Sequence, residues 1–128
     1  MDITREHVER YLSEVRELVM LNRYTLSINS NRSDNMDLFQ KYIIDRNGAK
    51  NIILSLTADD FSTVLNNEHD GYEYERLYVF GKDVRLVERF GTEEKNVSLY
   101  IKFNKIEKSY VIVISFHEQR YPLSLYFR

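Results

Sequence analysis

The sequence predicts an α+β protein in which N-terminal helices pack on a C-terminal antiparallel sheet of three to four strands. Three observations carry this expectation. Apolar residues in the first part of the chain recur at helical spacing, and after Gly71 the period falls from 3.6 to 2. The tetrapeptide Lys105-Ile106-Glu107-Lys108 then joins the two strongest strand segments as a hairpin. The 128 residues suffice for one domain, 1–128, with a core that needs no disulfide, and no repeat or linker divides them.

From Thr4 to Leu21, Val8, Leu12, Val15, Leu18 and Val19 form an apolar stripe with Tyr11 alongside, and charged residues fill the opposite face. Tyr24 to Ile28 alternates and is rich in strand formers. Ser33 or Asp34 can cap a second helix running to about Ile44, with Met36, Phe39 and Ile43 inward, and Asn47-Gly48 ends it. Lys50 to Leu56 reads as another short helix or turn. Thr57 resembles an N-cap with Asp60 at N3, opening a helix that buries Phe61, Val64 and Leu65. Strands are expected over Tyr72–Phe80, Val97–Asn104 and Ser109–Phe116, with a weaker one over Asp83–Phe90. Phe61, Ile101 and Ile112 are the expected interior anchors.

Composition narrows the chemistry. Zero Cys removes disulfide scaffolds, thiolate zinc sites, iron–sulfur clusters and cysteine nucleophiles. His7, His69 and His117 are scattered, without metal-ligand spacing, so no metal is expected. The four Gly stand apart and make no phosphate-cradling loop. Net charge is −2, which argues against bulk electrostatic binding of duplex DNA. Residues 1–70 carry 8 basic and 12 acidic groups, whereas residues 71–128 carry 10 and 8, so an anionic ligand is less unwelcome in the second part. The longest apolar runs, such as Tyr110 to Ile114, are far short of a membrane span. The opening residues lack a secretion signal, so a soluble cytoplasmic protein is expected.

Strand faces select candidate site residues. Val97, Leu99, Ile101 and Phe103 are uniformly apolar and must face the helices, which puts Ser98, Tyr100 and Lys102 on the other face. With the hairpin at 105–108, Tyr100 should lie near Ser115, Lys102 near Val113, and His117 diagonal to Tyr100. One exposed face would collect a phenol, an ammonium and an imidazole, although Tyr and Lys also commonly decorate a wet sheet face.

Several segments then resemble one family. Ile52 to Phe61 is similar to the "LS-x-x-D-F" segment of the MqsR-type toxins, mRNA interferases of bacterial toxin–antitoxin pairs with a RelE-like fold. The likeness continues through Leu77-Tyr78-Val79-Phe80-Gly81-Lys82 and Leu99-Tyr100-Ile101-Lys102-Phe103. It ends on Ser115-Phe116-His117-Glu118 with Tyr121-Pro122-Leu123, close to an "SFH-x-x-x-YPL" ending. The resemblance implies cleavage of mRNA without metal or other cofactor, and neutralisation by a partner antitoxin. It implies that Tyr100 is an active-site tyrosine and that His117 stands where type members carry a functional lysine. Another functional lysine of the family corresponds to Thr63, and a glutamine falls near Glu75.

Cleaving RNA through its 2′-OH needs a base, an acid and cations for the developing phosphorane charge. His117 supplies an imidazole; Lys102, Arg120 and Lys82 can hold phosphate; Tyr100 can donate a hydrogen bond or stack a base. Which group is base and which is acid stays open. The alternative expectation is a non-catalytic module that uses the same sheet face for a protein partner.

Overall fold

The computed structural model describes residues 2–128. Thr4 caps α1 (Arg5–Met20), its side chain accepting from the His7 backbone N–H at 3.1 Å. Val8, Tyr11, Leu12, Val15, Leu18 and Val19 are all buried, the stripe that the spacing predicts. Asn22, at φ 58°, turns the chain out of the helix into β1 (Tyr24–Leu26). A 3-10 turn over Ser30–Arg32 leads into α2 (Ser33–Lys41), and Asp45 caps α3 (Arg46–Leu54) by accepting from Gly48 N–H at 2.7 Å. The remaining strands are β2 (Phe61–Asn66), β3 (Arg76–Val87), β4 (Glu94–Ile106) and β5 (Tyr110–Glu118). The class is α+β, with helices packed against a sheet. No helix among the described residues is long and apolar enough to cross a membrane.

The sheet is larger than expected and mixed, with five strands in the order β1-β5-β4-β3-β2. Only the β1–β5 pair is parallel, Tyr24 facing Val111 and Leu26 facing Val113. The helix expected after Thr57 does not form. Asp60 does accept from the Thr57 N–H at 2.9 Å, yet the turn spans only Ala58–Asp60 before the chain extends into β2. Phe61-Ser62-Thr63-Val64-Leu65 is dominated by aromatic and β-branched residues, and pairing with β3 satisfies its backbone. Phe61 is buried as expected, but Leu65 is exposed. The second helix likewise stops early. Tyr42 is extended, and the Arg89 guanidinium takes the carbonyls of Phe39, Gln40 and Tyr42 at 3.0, 3.2 and 3.1 Å. Leu38 and Asn35 face inward, Ile43 faces out, and Asn47-Gly48 lies in the first turn of α3 instead of ending its predecessor.

The two strands expected over Tyr72–Phe80 and Asp83–Phe90 are one. β3 starts at Arg76 and runs through Gly81 without a break. A Cβ at Gly81 would sit 2.9 Å from Leu123 Cδ1 and 3.0 Å from Gln119 Nε2, so the absent side chain makes room for the C-terminal segment. That segment is fastened by Gln119 N–H to Ser98 O at 2.8 Å, by the Ser62 hydroxyl to Ser124 O at 2.7 Å, and by Tyr126 N–H to Phe61 O at 2.8 Å.

Val97, Leu99, Ile101 and Phe103 are buried against the helices as the alternation predicts. β5 departs from strict alternation. Its register shifts opposite Lys102 and Phe103, where Ser115 and Val113 are the partners and Ile114 is the extra residue. Before the bulge the hairpin register turns Val111 and Val113 to the core and leaves Ile112 only half-buried; after it Phe116 turns back inward. Ile112 is thus not an interior anchor. Beyond the short β1, the exposed edge of β5 is closed by Asn35. Its amide donates to Ser27 O at 2.6 Å and Ile114 O at 2.9 Å and accepts from Phe116 N–H at 2.8 Å.

Candidate functional site

The pairing lies two residues from the expected register, one set at the hairpin, where Ile106 pairs with Tyr110, and one added by the bulge at Ile114, so Tyr100 faces His117 and Lys102 faces Ser115. These four side chains occupy the sheet face turned away from α1. The rings of Tyr100 and His117 lie parallel within 8°, with centroids 5.2 Å apart. His117 Nδ1 is 2.7 Å from the Glu118 carbonyl oxygen. A carbonyl can only accept, so Nδ1 donates the hydrogen, and of the two neutral tautomers this selects the one whose lone pair is on Nε2. Burial raises the Tyr100 phenol above its ordinary value, which keeps it a donor through the neutral range.

Lys102 is half-buried and closes no hydrogen bond or salt bridge among the described residues. Burial lowers its ammonium from the usual lysine value; Arg32 lowers it further, and Glu68 opposes them. Arg32 and Glu68 are functional candidates that the sequence does not reveal. Arg32 immediately precedes α2, which Asn35 ties to Ile114 and Phe116 on either side of Ser115. Glu68 follows Asn67, whose side chain shares the Glu75 carboxylate with Asn104, two residues along β4 from Lys102. Two polar loops thus bring opposite charges to Lys102 through contacts made far along the chain.

The other predicted site residues divide. Arg120 is exposed and bonded to Asp34 at 2.5 Å. It lines, with His117, Lys41, Gln40 and Phe90, an open groove of about 600 Å³ beside the sheet. Lys82 lies opposite Leu99 and so points to the helix side, where Asp60 holds it at 3.4 Å. Glu75 accepts from Asn67 and Asn104, both at 3.0 Å, and pins the loop after β2 onto β4. The structure therefore assembles Tyr100, Lys102 and His117, leaves Arg120 on an adjoining rim, and uses Lys82 and Glu75 elsewhere.

A second cleft of about 430 Å³ lies on the helix side, lined by His7, Arg10, Tyr11, Tyr78 and Lys105 among others. There His7 Nε2 and the Tyr78 hydroxyl are 2.6 Å apart, and Tyr78 stacks on Tyr11. Lys105 is paired with Glu14 at 3.0 Å. No group of three or more His, Asp or Glu among the described residues is arranged to hold a metal ion.

No protein-family model, curated protein or solved structure matches the chain.

Proposed function

We propose that the protein is an endoribonuclease of the MqsR type that cleaves single-stranded mRNA through the RNA's own 2′-OH. The observation that carries this reading is the parallel Tyr100–His117 pair beside a half-buried, unpaired Lys102. The ordered resemblance of segments 52–61, 77–82, 99–103 and 111–123 supports it independently.

Each group of the site has a role in this reading. His117 Nε2 takes the proton of the 2′-OH, and the 2′-oxygen then attacks the adjacent phosphorus. The bond from phosphorus to the 5′-oxygen breaks, giving a 2′,3′-cyclic phosphate and a 5′-OH end. The Lys102 ammonium stabilises the non-bridging oxygens, and because burial weakens its hold on the proton it can protonate the departing 5′-oxygen. Tyr100 keeps the imidazole plane in place by stacking and offers its hydroxyl to the substrate. Arg120 can exchange Asp34 for the RNA backbone, since an exposed ion pair is worth only about 0–1 kcal/mol. The protein then acts in the cytoplasm, and a partner antitoxin neutralises it.

The test is incubation of purified protein with mRNA, followed by mapping of new ends. New 5′-OH ends with matching 2′,3′-cyclic phosphates are expected. Overproduction should arrest growth, and co-production of a partner encoded beside the gene should relieve the arrest. Intact RNA in the presence of folded protein overturns the enzyme reading and leaves the non-catalytic binding module.

A further inference from the structure

We propose that Phe90 is a stacking platform for a nucleobase of single-stranded RNA, set in the same groove as His117. The platform rests on the endoribonuclease reading for the identity of its ligand, a base that flanks the cleaved bond.

The groove of about 600 Å³ is built by contacts that hold both ends of α2. Asp34, Asp37 and Lys41 recur at helical spacing and turn one side of α2 to the groove, His117 and Glu118 enter it from the end of β5, and Phe90 enters it from the turn after β3. That turn is stitched to the end of α2. The Arg89 N–H donates to Lys41 O at 2.9 Å, and the Arg89 guanidinium takes the carbonyls of Phe39, Gln40 and Tyr42. Nearer its start, α2 is tied to β5 by Asn35, which bonds Ile114 O and the N–H of Phe116, immediately before His117. The Phe39 and Phe116 rings, with centroids 5.9 Å apart, add a side-chain contact between the same two elements. The phenyl ring and the imidazole thus share a groove because α2 is fastened to both segments that carry them.

The Phe90 ring is 93% exposed, the highest value among the large hydrophobic side chains, and no described aromatic ring or cation stacks on it. Folding gains little from such a ring, whereas a planar ligand laid on it removes apolar surface from water on both partners. The charges of the groove favour a base over a phosphate. Lys41 is paired with Glu118 at 3.3 Å and Arg120 with Asp34 at 2.5 Å, while Asp37 closes neither a salt bridge nor a side-chain hydrogen bond among the described residues. A phosphate would face that unneutralised carboxylate. A nucleobase is uncharged, stacks through its π-face whatever its identity, and carries N–H groups that Asp37 and the Gln40 amide can accept.

The chain has no Trp, so Phe90→Trp places a single indole at the platform. The probe is a single-stranded oligoribonucleotide methylated at every 2′-oxygen, which lacks the nucleophile for cleavage. It should quench the fluorescence of Phe90→Trp to saturation. An abasic oligonucleotide of the same length should not, and the probe should not quench Tyr74→Trp, an exposed position lining the helix-side cleft. In cleavage of unmodified RNA, Phe90→Ala should raise KM about tenfold and change kcat far less, and Phe90→Tyr should restore the parental KM. The ring is exposed, so these Phe90 variants should melt with the parent. Absence of quenching in Phe90→Trp, equal quenching in Tyr74→Trp, or a parental KM in Phe90→Ala overturns the platform, even if RNA is cleaved. Base-dependent quenching of Phe90→Trp, when the parent leaves unmodified RNA intact, supports the platform and overturns the endoribonuclease reading.

Discussion

Tyr100 and His117 occupy directly opposed positions of adjacent antiparallel strands, with their rings parallel and 5.2 Å apart. The bulge at Ile114 creates this pairing. Without it, the register of Phe103 with Val113 would continue and place Phe116 across from Tyr100, with His117 one residue on and turned to the opposite face.

Loss of the imidazole from that pair should be felt in catalysis and not in stability. His117→Ala should lower RNA cleavage by about 10²–10⁴-fold, the usual contribution of a general acid or base, with little change in melting temperature. His117→Lys should keep partial activity if the position mainly stabilises negative charge, and none if proton transfer dominates. Cleavage by His117→Ala at the parental rate removes His117 from the mechanism.

Buried and half-buried strand positions should separate in a urea melt. Ile101 is fully buried, so Ile101→Ala should cost about 2–5 kcal/mol. Ile112, turned from the core by the hairpin register that pairs it with Asn104, should cost distinctly less on truncation. Equal losses would mean that β5 presents the opposite face to the helices.

Asn35 should matter more than its polar character suggests. It satisfies three backbone groups at the point where β1 has ended and β5 continues. Asn35→Ala leaves those groups without their partner and should cost about 1–3 kcal/mol or more in chemical denaturation. A variant with parental stability would refute the edge-closing role.

The half-buried Lys102 ammonium gives stability a signed dependence on pH. Its folded-state value lies below the ordinary 10.5, so between the two the unfolded chain holds more protons and stability rises with pH. The charged and titratable groups facing it are Arg32, Glu68, Tyr100 and His117. Tyr100, Tyr78 and Tyr11 act in the other direction above 10, because burial raises their phenols. The Lys102 contribution is therefore read as a difference: the parent should gain urea stability relative to Lys102→Met as pH rises towards 10.5. A constant difference across that range contradicts the burial of the ammonium.

Much of this protein is legible from near neighbours in the chain. The stripe from Val8 to Val19 can bury its apolar side only as a helix, and Val97 to Phe103 only as a strand facing the helices. That alternation alone commits Tyr100 and Lys102 to the opposite face. The Thr57–Asp60 cap is equally local, and it forms. The conformation beyond the cap is decided elsewhere: Phe61 to Asn66 extend because β3 offers a ladder, which a 3.6-residue reading of Phe61, Val64 and Leu65 does not contain. Only the tertiary structure opposes Tyr100 to His117, brings Arg32 and Glu68 to Lys102, and diverts Lys82 to Asp60 and Arg120 to Asp34. The physical reason is range. Periodicity records which side of an element is apolar, whereas register, bulges and charge partners are set by contacts between residues that lie far apart in the chain.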